Sequence, residues 1–270
     1  MLAEEGKNSK VRVVLLGSTG FLGSHLYSAM LHNGFFPEKV NFDISQIQDK
    51  FSSPSRNSQV NFLISMAWCS NRNQNYLDSS ENFSWAERHI EIAKFCIEND
   101  IFLLIPGTCL EYCSSGTSAY VESKKEVKKF LDENMSADRY LWLRYFYIFS
   151  LENRRPGLLR DALMARDERR PFSINNSESR HDFIEVRDAV EQTLKIIHSG
   201  SHGVWDIGSG IVRSNLELLS RIQNLEVVPS SLNSGLGRPT QSYEEGAKLL
   251  ISNHRQLSRY TDEFFGTFAS

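Results

Sequence analysis

The chain has 270 residues, 40% of them hydrophobic and 23% charged, with a formal net charge of -3. That length supports one large α/β domain, or a main domain with a smaller lobe, and argues against two unrelated folds. The near-neutral charge supplies no broad basic surface for nucleic acid, so the expected partner is a small molecule.

Met1 to Lys10 carries Glu4, Glu5 and Lys7 without an apolar stretch, and reads as a short tail rather than a signal peptide. Val11–Leu16 is a β-rich apolar run followed by a glycine turn and a helical pattern from Phe21 to about His32. A second short strand is expected at Val40–Asp43 after the Asn33-Gly34 turn, and a buried strand at Val60–Met66. Trp85–Asn99 has helical periodicity and leads into a strand at Ile101–Ile105. Tyr120 to about Glu133 favours helix, and Tyr140–Phe149 reads as one apolar, aromatic strand. Arg154 to Arg180 is polar and loop-punctuated; Phe183–Ile197 resumes the strand-helix style, and Val204–Gly210 gives a last strand and turn. Helix candidates follow at Ser214–Asn224 and Tyr243–His254.

Alternating β and α elements with continuously apolar strands predict an α/β fold, a Rossmann-like doubly wound parallel sheet. Its core is expected from residues 11–150 and 181–210, and a smaller C-terminal substrate-binding lobe from 151–180 and 211–270. The longest apolar runs are far short of a bilayer span, so no membrane partner is expected. Cys69, Cys96, Cys109 and Cys113 are too scattered for a disulfide framework, which fits a reducing cytoplasm. No further Cys or His pair follows Cys109 and Cys113 at ligand spacing, so no metal site is expected.

Gly17-Ser18-Thr19-Gly20-Phe21-Leu22-Gly23 lies between a predicted strand and a predicted helix. Glycines there let the backbone turn tightly and approach a pyrophosphate, whose charge rests at the positive end of the helix. Asp43 follows the last glycine by twenty residues, where an acidic side chain takes the adenosine ribose hydroxyls. Only seventeen residues separate Asp43 from Asn61, which leaves two alternatives. Either the sheet lacks one edge strand, or Asp43-Ile44 belongs to the strand that normally lies beyond and faces the adenine.

Tyr120 and Lys124 stand at i and i+4, on one face of a helix. A cation near a phenol favours its ionised form, so the spacing predicts a lowered tyrosine pKa and a group able to exchange protons near neutral pH.

Taken together, Gly17–Gly23, a strand ending in Thr108, Tyr120-Val-Glu-Ser-Lys124, Leu143-Arg-Tyr-Phe146 and Asp182-Phe-Ile-Glu-Val-Arg-Asp188 resemble the extended short-chain dehydrogenase/reductase family. Its members mostly act on nucleotide sugars. The resemblance implies that Thr108 bonds the reacting sugar oxygen. It makes Tyr120 the general acid/base, has Lys124 hold the nicotinamide ribose and tune Tyr120, and has Ala67 let the cofactor lie close. It also implies a homodimer. The Asp-Glu pair that dehydratases of the family carry after the catalytic Thr is here Cys109-Leu110, which cannot eliminate water. Tyr147 replaces a substrate-contacting Asn and His181 replaces an Arg, with Arg180 beside it. Arg238, in Gly-Arg-Pro, resembles a diphosphate clamp, since guanidinium groups bind phosphate oxygens bidentately.

The function expected from these residues is a ketoreductase that transfers hydride to a 4-keto-6-deoxy sugar linked to a nucleoside diphosphate. NAD(H) is favoured over NADP(H), because Asp43 would repel a 2′-phosphate. A nucleotide-sugar 4-epimerase with retained NAD is the alternative. A non-catalytic dinucleotide-sensing regulatory protein is a third reading, against which the intact Thr108, Tyr120 and Lys124 set counts.

Overall fold

The computed structural model describes residues 11–52, 62–68, 76–112, 118–152, 157–229 and 259–266. The chain divides into two compact units, one of residues 1–145 and 190–206, the other of 146–189 and 207–270.

The first unit is built on a six-stranded sheet. Its strands are β1 (Val11–Leu16), β2 (Phe35–Val40), β3 (Phe62–Ser65), β4 (Phe102–Thr108), β5 (Tyr140–Tyr145) and β9 (Gly203–Ile207), ordered β2-β1-β3-β4-β5-β9. β1 pairs in parallel with both β2 and β3, and β4 with both β3 and β5. The order reverses at β1, so the connections leaving β1 and β3 diverge at one end of the sheet, where an open α/β sheet opens its ligand crevice.

Both faces of this sheet are apolar. Val14, Leu16, Leu63, Leu103, Ile105 and Trp142 pack with Ile47 of α2 (Ile44–Ser52), with Ala86, Ile92 and Cys96 of α3 (Glu81–Glu98), and with Val127 and Leu131 of α4 (Ala119–Asn134). The alternate residues Val13, Leu15, Ile64, Leu104, Leu141 and Leu143 point to the opposite face and are buried as well. Strands buried on both sides require the unbroken apolar runs that the sequence displays.

Two expectations about strands need correction, and one of the two alternatives for Asp43 is favoured. The second strand is not Val40–Asp43 but Phe35–Val40, because Phe35, Pro37 and Val40 supply its buried positions and the whole segment pairs with β1. Among the described residues no strand lies beyond β2, and Asp43 lies in the connection just before α2. Tyr140–Phe149 is two strands, interrupted at Phe146: β5 stays in the six-stranded sheet and β6 (Tyr147–Phe149) joins a different one. Uniform apolarity concealed that change of partner.

In the second unit β6 pairs in parallel with β8 (Arg180–Glu185), which pairs antiparallel with β10 (Val212–Ser214). The polar, loop-punctuated stretch contains α5 (Leu158–Asp167) and β7 (Phe172–Ile174), and β7 pairs with β11 (Val227–Pro229). α6 (Val186–His198) follows β8. The candidate Ser214–Asn224 is the shorter α7 (Asn215–Leu219), started by a capping box of Ser214 and Glu217. α8 (Arg259–Phe265) is anchored through Asp188, whose carboxylate accepts the Tyr260 and Thr261 N–H groups. The candidate Tyr243–His254 lies outside the described residues. Among the described residues no helix is long and apolar enough to cross a membrane, and no cluster of three His, Cys, Asp or Glu side chains is placed to hold a metal ion.

Candidate active site

The glycine turn joins β1 to α1 (Phe21–His32). Gly17 has φ +74°, and a Cβ there would lie 2.5 Å from the Ala67 nitrogen, so the turn and the chain leaving β3 touch backbone to backbone. A Cβ on Gly23 would lie 2.1 Å from the Gly17 carbonyl oxygen, which is how close α1 packs on the turn. Ser18 is buried, whereas Thr19 and Gly20 are exposed. Gly20 caps α1 without a side-chain hydrogen bond, and no acidic residue stands in the first turn that Phe21 and Leu22 begin. The positive end of α1 is therefore left without a carboxylate in its own first turn. Such residues fit the pyrophosphate of a dinucleotide.

In the same unit β4 ends at Thr108, opposite the first turn of α4. The Ser118 hydroxyl accepts the Val121 N–H and starts that helix, and the Tyr120 N–H donates to the Leu77 carbonyl at 2.8 Å. Thr108 is the hydroxyl neighbour that acts on the Tyr120 phenol. One turn on, the Lys124 ammonium donates to the Pro106 carbonyl at 2.7 Å, lies 5.8 Å from the centre of the Tyr120 ring, and leaves its residue only 1% exposed.

The electrostatics overturn the expected lowering of the tyrosine. Burial raises the Tyr120 phenol above its ordinary value, the neighbouring Tyr76 adds to this, and the Thr108 hydroxyl opposes it. Burial likewise holds Lys124 well below the usual lysine range, with Glu111 pulling the other way. Desolvation outweighs the pairwise attraction that i, i+4 spacing suggests. Tyr120 thus rests as a neutral phenol, a form that donates a proton.

Sequence reading missed Glu111. Its carboxylate accepts the Thr108 N–H at 2.8 Å, the Arg144 Nε at 2.8 Å and the Trp142 indole N–H at 3.1 Å. Arg144 also donates to the Tyr112 hydroxyl at 2.9 Å, and that hydroxyl donates to Asp206 at 2.7 Å. Gly107 leaves room for this assembly, since a Cβ there would lie 2.3 Å from the Trp142 Nε1. The one available signal was Arg144 inside an otherwise apolar strand, which called for a buried anion.

No family model matches the chain. Among solved structures, a dTDP-4-dehydrorhamnose reductase from Clostridium acetobutylicum superimposes with a TM-score of 0.71 at 12% identity, covering 95% of this chain and 99% of its own. The fold is that of the extended short-chain dehydrogenases/reductases. A dTDP-4-dehydrorhamnose reductase from Bacillus anthracis, in complex with NADP, gives a TM-score of 0.69 at 17% identity over 89% of this chain and 98% of its own. A UDP-glucose 4-epimerase from Thermus thermophilus, in complex with NAD, gives 0.65 at 15% identity over 96% of this chain and 100% of its own.

On this short-chain dehydrogenase/reductase fold, Ala67 lies directly against the glycine turn. Asp43 is exposed and caps α2, accepting both the Ser45 N–H at 2.9 Å and the Ser45 hydroxyl at 2.6 Å. In the second unit Tyr147 and His181 stack, ring centres 4.0 Å apart, and burial lowers His181 to about 4. Arg180 is exposed, donates to the Val212 carbonyl at 2.9 Å and pairs with Glu217 at 3.5 Å. Asp182 and Asp188, at the two ends of the recognised run, are fully buried anchors: Asp182 accepts the Ser209 and Gly210 N–H groups. Arg238 lies outside the described residues.

Proposed function

We propose that the chain is a nicotinamide-dinucleotide-dependent oxidoreductase of nucleotide-linked sugars, a ketoreductase that takes a 4-keto-6-deoxy sugar to the alcohol. The observation that carries this reading is the neighbouring Thr108 and Tyr120 pair, with Tyr120 kept neutral and Lys124 one turn on, in the same unit as the uncapped glycine turn. A reduced nicotinamide bound at that turn would supply the hydride. Tyr120 donates its phenolic proton to the oxygen on which negative charge develops, and Thr108 bonds the same oxygen. Lys124 holds the nicotinamide ribose. Tyr147, Arg180, His181 and Arg238 are the proposed contacts to the sugar and its diphosphate.

NAD(H) is the proposed cofactor over NADP(H), since the exposed Asp43 carboxylate repels a 2′-phosphate and no Lys or Arg occurs among residues 44–48 to neutralise one. Tighter binding of NADP(H) in a parallel titration would remove Asp43 from this role.

The reaction is tested by where the hydride ends up. With a 4-keto-6-deoxy nucleotide sugar and excess NADH, the expected result is one equivalent of NADH consumed per product, with deuterium carried from labelled cofactor into the sugar. Interconversion of two hydroxyl epimers on tightly held NAD, with no net change at the nicotinamide band, would replace the reductase by an epimerase.

A further inference from the structure

Trp68 follows Ala67 immediately after β3, and it belongs to no motif that the sequence reading used. Its indole lies between the two halves of the candidate site. On one side its own chain segment touches the glycine turn through Ala67. On the other its ring meets Tyr120 edge-on at 6.2 Å, and the Lys124 ammonium sits over its face, 3.4 Å from the centroid. Trp68 thus adjoins both the segment that touches the phosphate turn and the reacting phenol.

The indole position is built rather than incidental. Its Nε1 donates to the Asn82 side-chain oxygen at 2.9 Å, and Asn82 is fully buried. The Asn82 amide nitrogen donates to the carbonyls of Tyr76 at 2.7 Å and Ser79 at 2.9 Å, which orients the amide so that its oxygen faces Trp68. His89, also fully buried, lies 4.7 Å from the indole, with its two ring nitrogens bonded to the Ser65 hydroxyl and the Trp85 carbonyl. Among the described residues no carboxylate pairs with the lysine: its ammonium is held by the Pro106 carbonyl and the π face of Trp68. With 1% of the residue exposed, the lysine is closed off from solvent in the free protein.

We propose that the indole face of Trp68 holds the Lys124 ammonium in the free protein and is exchanged for the ribose hydroxyls of the nicotinamide half when the dinucleotide binds. A π face is a weaker partner for a buried ammonium than a hydroxyl acceptor, so the exchange runs in the direction of binding. The inference rests on the dinucleotide reading of the glycine turn.

The test uses the full chain labelled with 5-fluorotryptophan, which gives four ¹⁹F signals for the four tryptophans. The Trp68 signal is identified by its loss in Trp68→Phe. Addition of NADH or NAD should shift the Trp68 signal and leave that of Trp142, fully buried in β5, in place. Trp68→Leu removes the contact that must be broken, so it should bind NADH about three- to thirty-fold more tightly. Saturation with NADH, followed by energy transfer to the bound nicotinamide, without movement of the Trp68 signal overturns this proposal and leaves the dinucleotide reading intact. Absence of NADH and NAD binding to the unaltered chain overturns both.

Discussion

The Glu111 carboxylate accepts the backbone N–H of Thr108, fixing the end of β4 where the candidate hydroxyl stands. Its other partners are Arg144 and Trp142, and its side chain is only 5% exposed. Glu111→Ala leaves the Arg144 guanidinium without its main anion, and should cost about 3 kcal/mol or more in urea denaturation. Glu111→Gln keeps an acceptor for Thr108 and should cost less. Equal stability of the Ala variant and the unaltered chain would show that the network holds nothing together.

Tyr120→Phe keeps the ring and removes the proton donor, so turnover should fall by about two to four orders of magnitude. Cofactor affinity, read by fluorescence titration, should hardly change. Because the phenol is raised above its ordinary value, it stays protonated through neutral pH, and this group should cause no loss of reductive turnover between about pH 6 and 9. Near-full turnover of Tyr120→Phe, under conditions where chemistry limits the rate, removes the residue from the reaction.

Gly23→Ala places a methyl group 2.1 Å from the Gly17 carbonyl, which is backbone and cannot step aside. The N-terminus of α1 must then lift from the turn. Dinucleotide binding should be lost, or weakened at least about a hundredfold, while Gly34→Ala, at an open position of positive φ, affects stability alone. Calorimetric titration compares the two, and unchanged affinity in Gly23→Ala would dissociate the turn from the cofactor.

Acid should weaken the fold through His89. Burial, aided by Lys124, lowers it from an ordinary 6.5 to about 3. A depressed folded value means that the stabilisation is complete above about pH 6.5 and is lost as pH falls toward 3, on the order of 5 kcal/mol in total. Asp182 and Asp188 are raised by burial and act in the opposite sense, regaining some stability as they protonate. Melting temperature should decline between about pH 6.5 and 4, and His89→Gln should flatten that slope. A slope unchanged in His89→Gln would assign the acid sensitivity to other groups.

Much of the first unit was legible because its strands are buried on both faces, a condition that only unbroken apolar runs such as Val13–Leu16 and Leu103–Ile105 satisfy. The glycine turn was legible for a related reason: Gly17 and Gly23 are places where a side chain has no room. What escaped was decided by partners distant in sequence. Phe146 looks like its neighbours, yet the chain changes sheets there. Glu111 sits in a plain tetrapeptide, and its part depends on Arg144, 33 positions on. The tyrosine pKa was misjudged because i, i+4 spacing reports proximity but carries no information on how much water is excluded.

The division of the chain has a bearing on how it is made. It passes from one unit to the other at Tyr145/Phe146, again at Ala189/Val190, and a third time at Asp206/Ile207. A ribosome releasing the polypeptide from its N-terminus delivers five strands of the large sheet, then a stretch of which β7 and one edge of β8 await partners later in the sequence, and only afterwards β9. Neither unit can close before the other has begun. The nascent chain therefore carries an open edge at β5 while residues 146–202 are synthesised, a window in which chaperone engagement or mispairing competes with completion of the sheet.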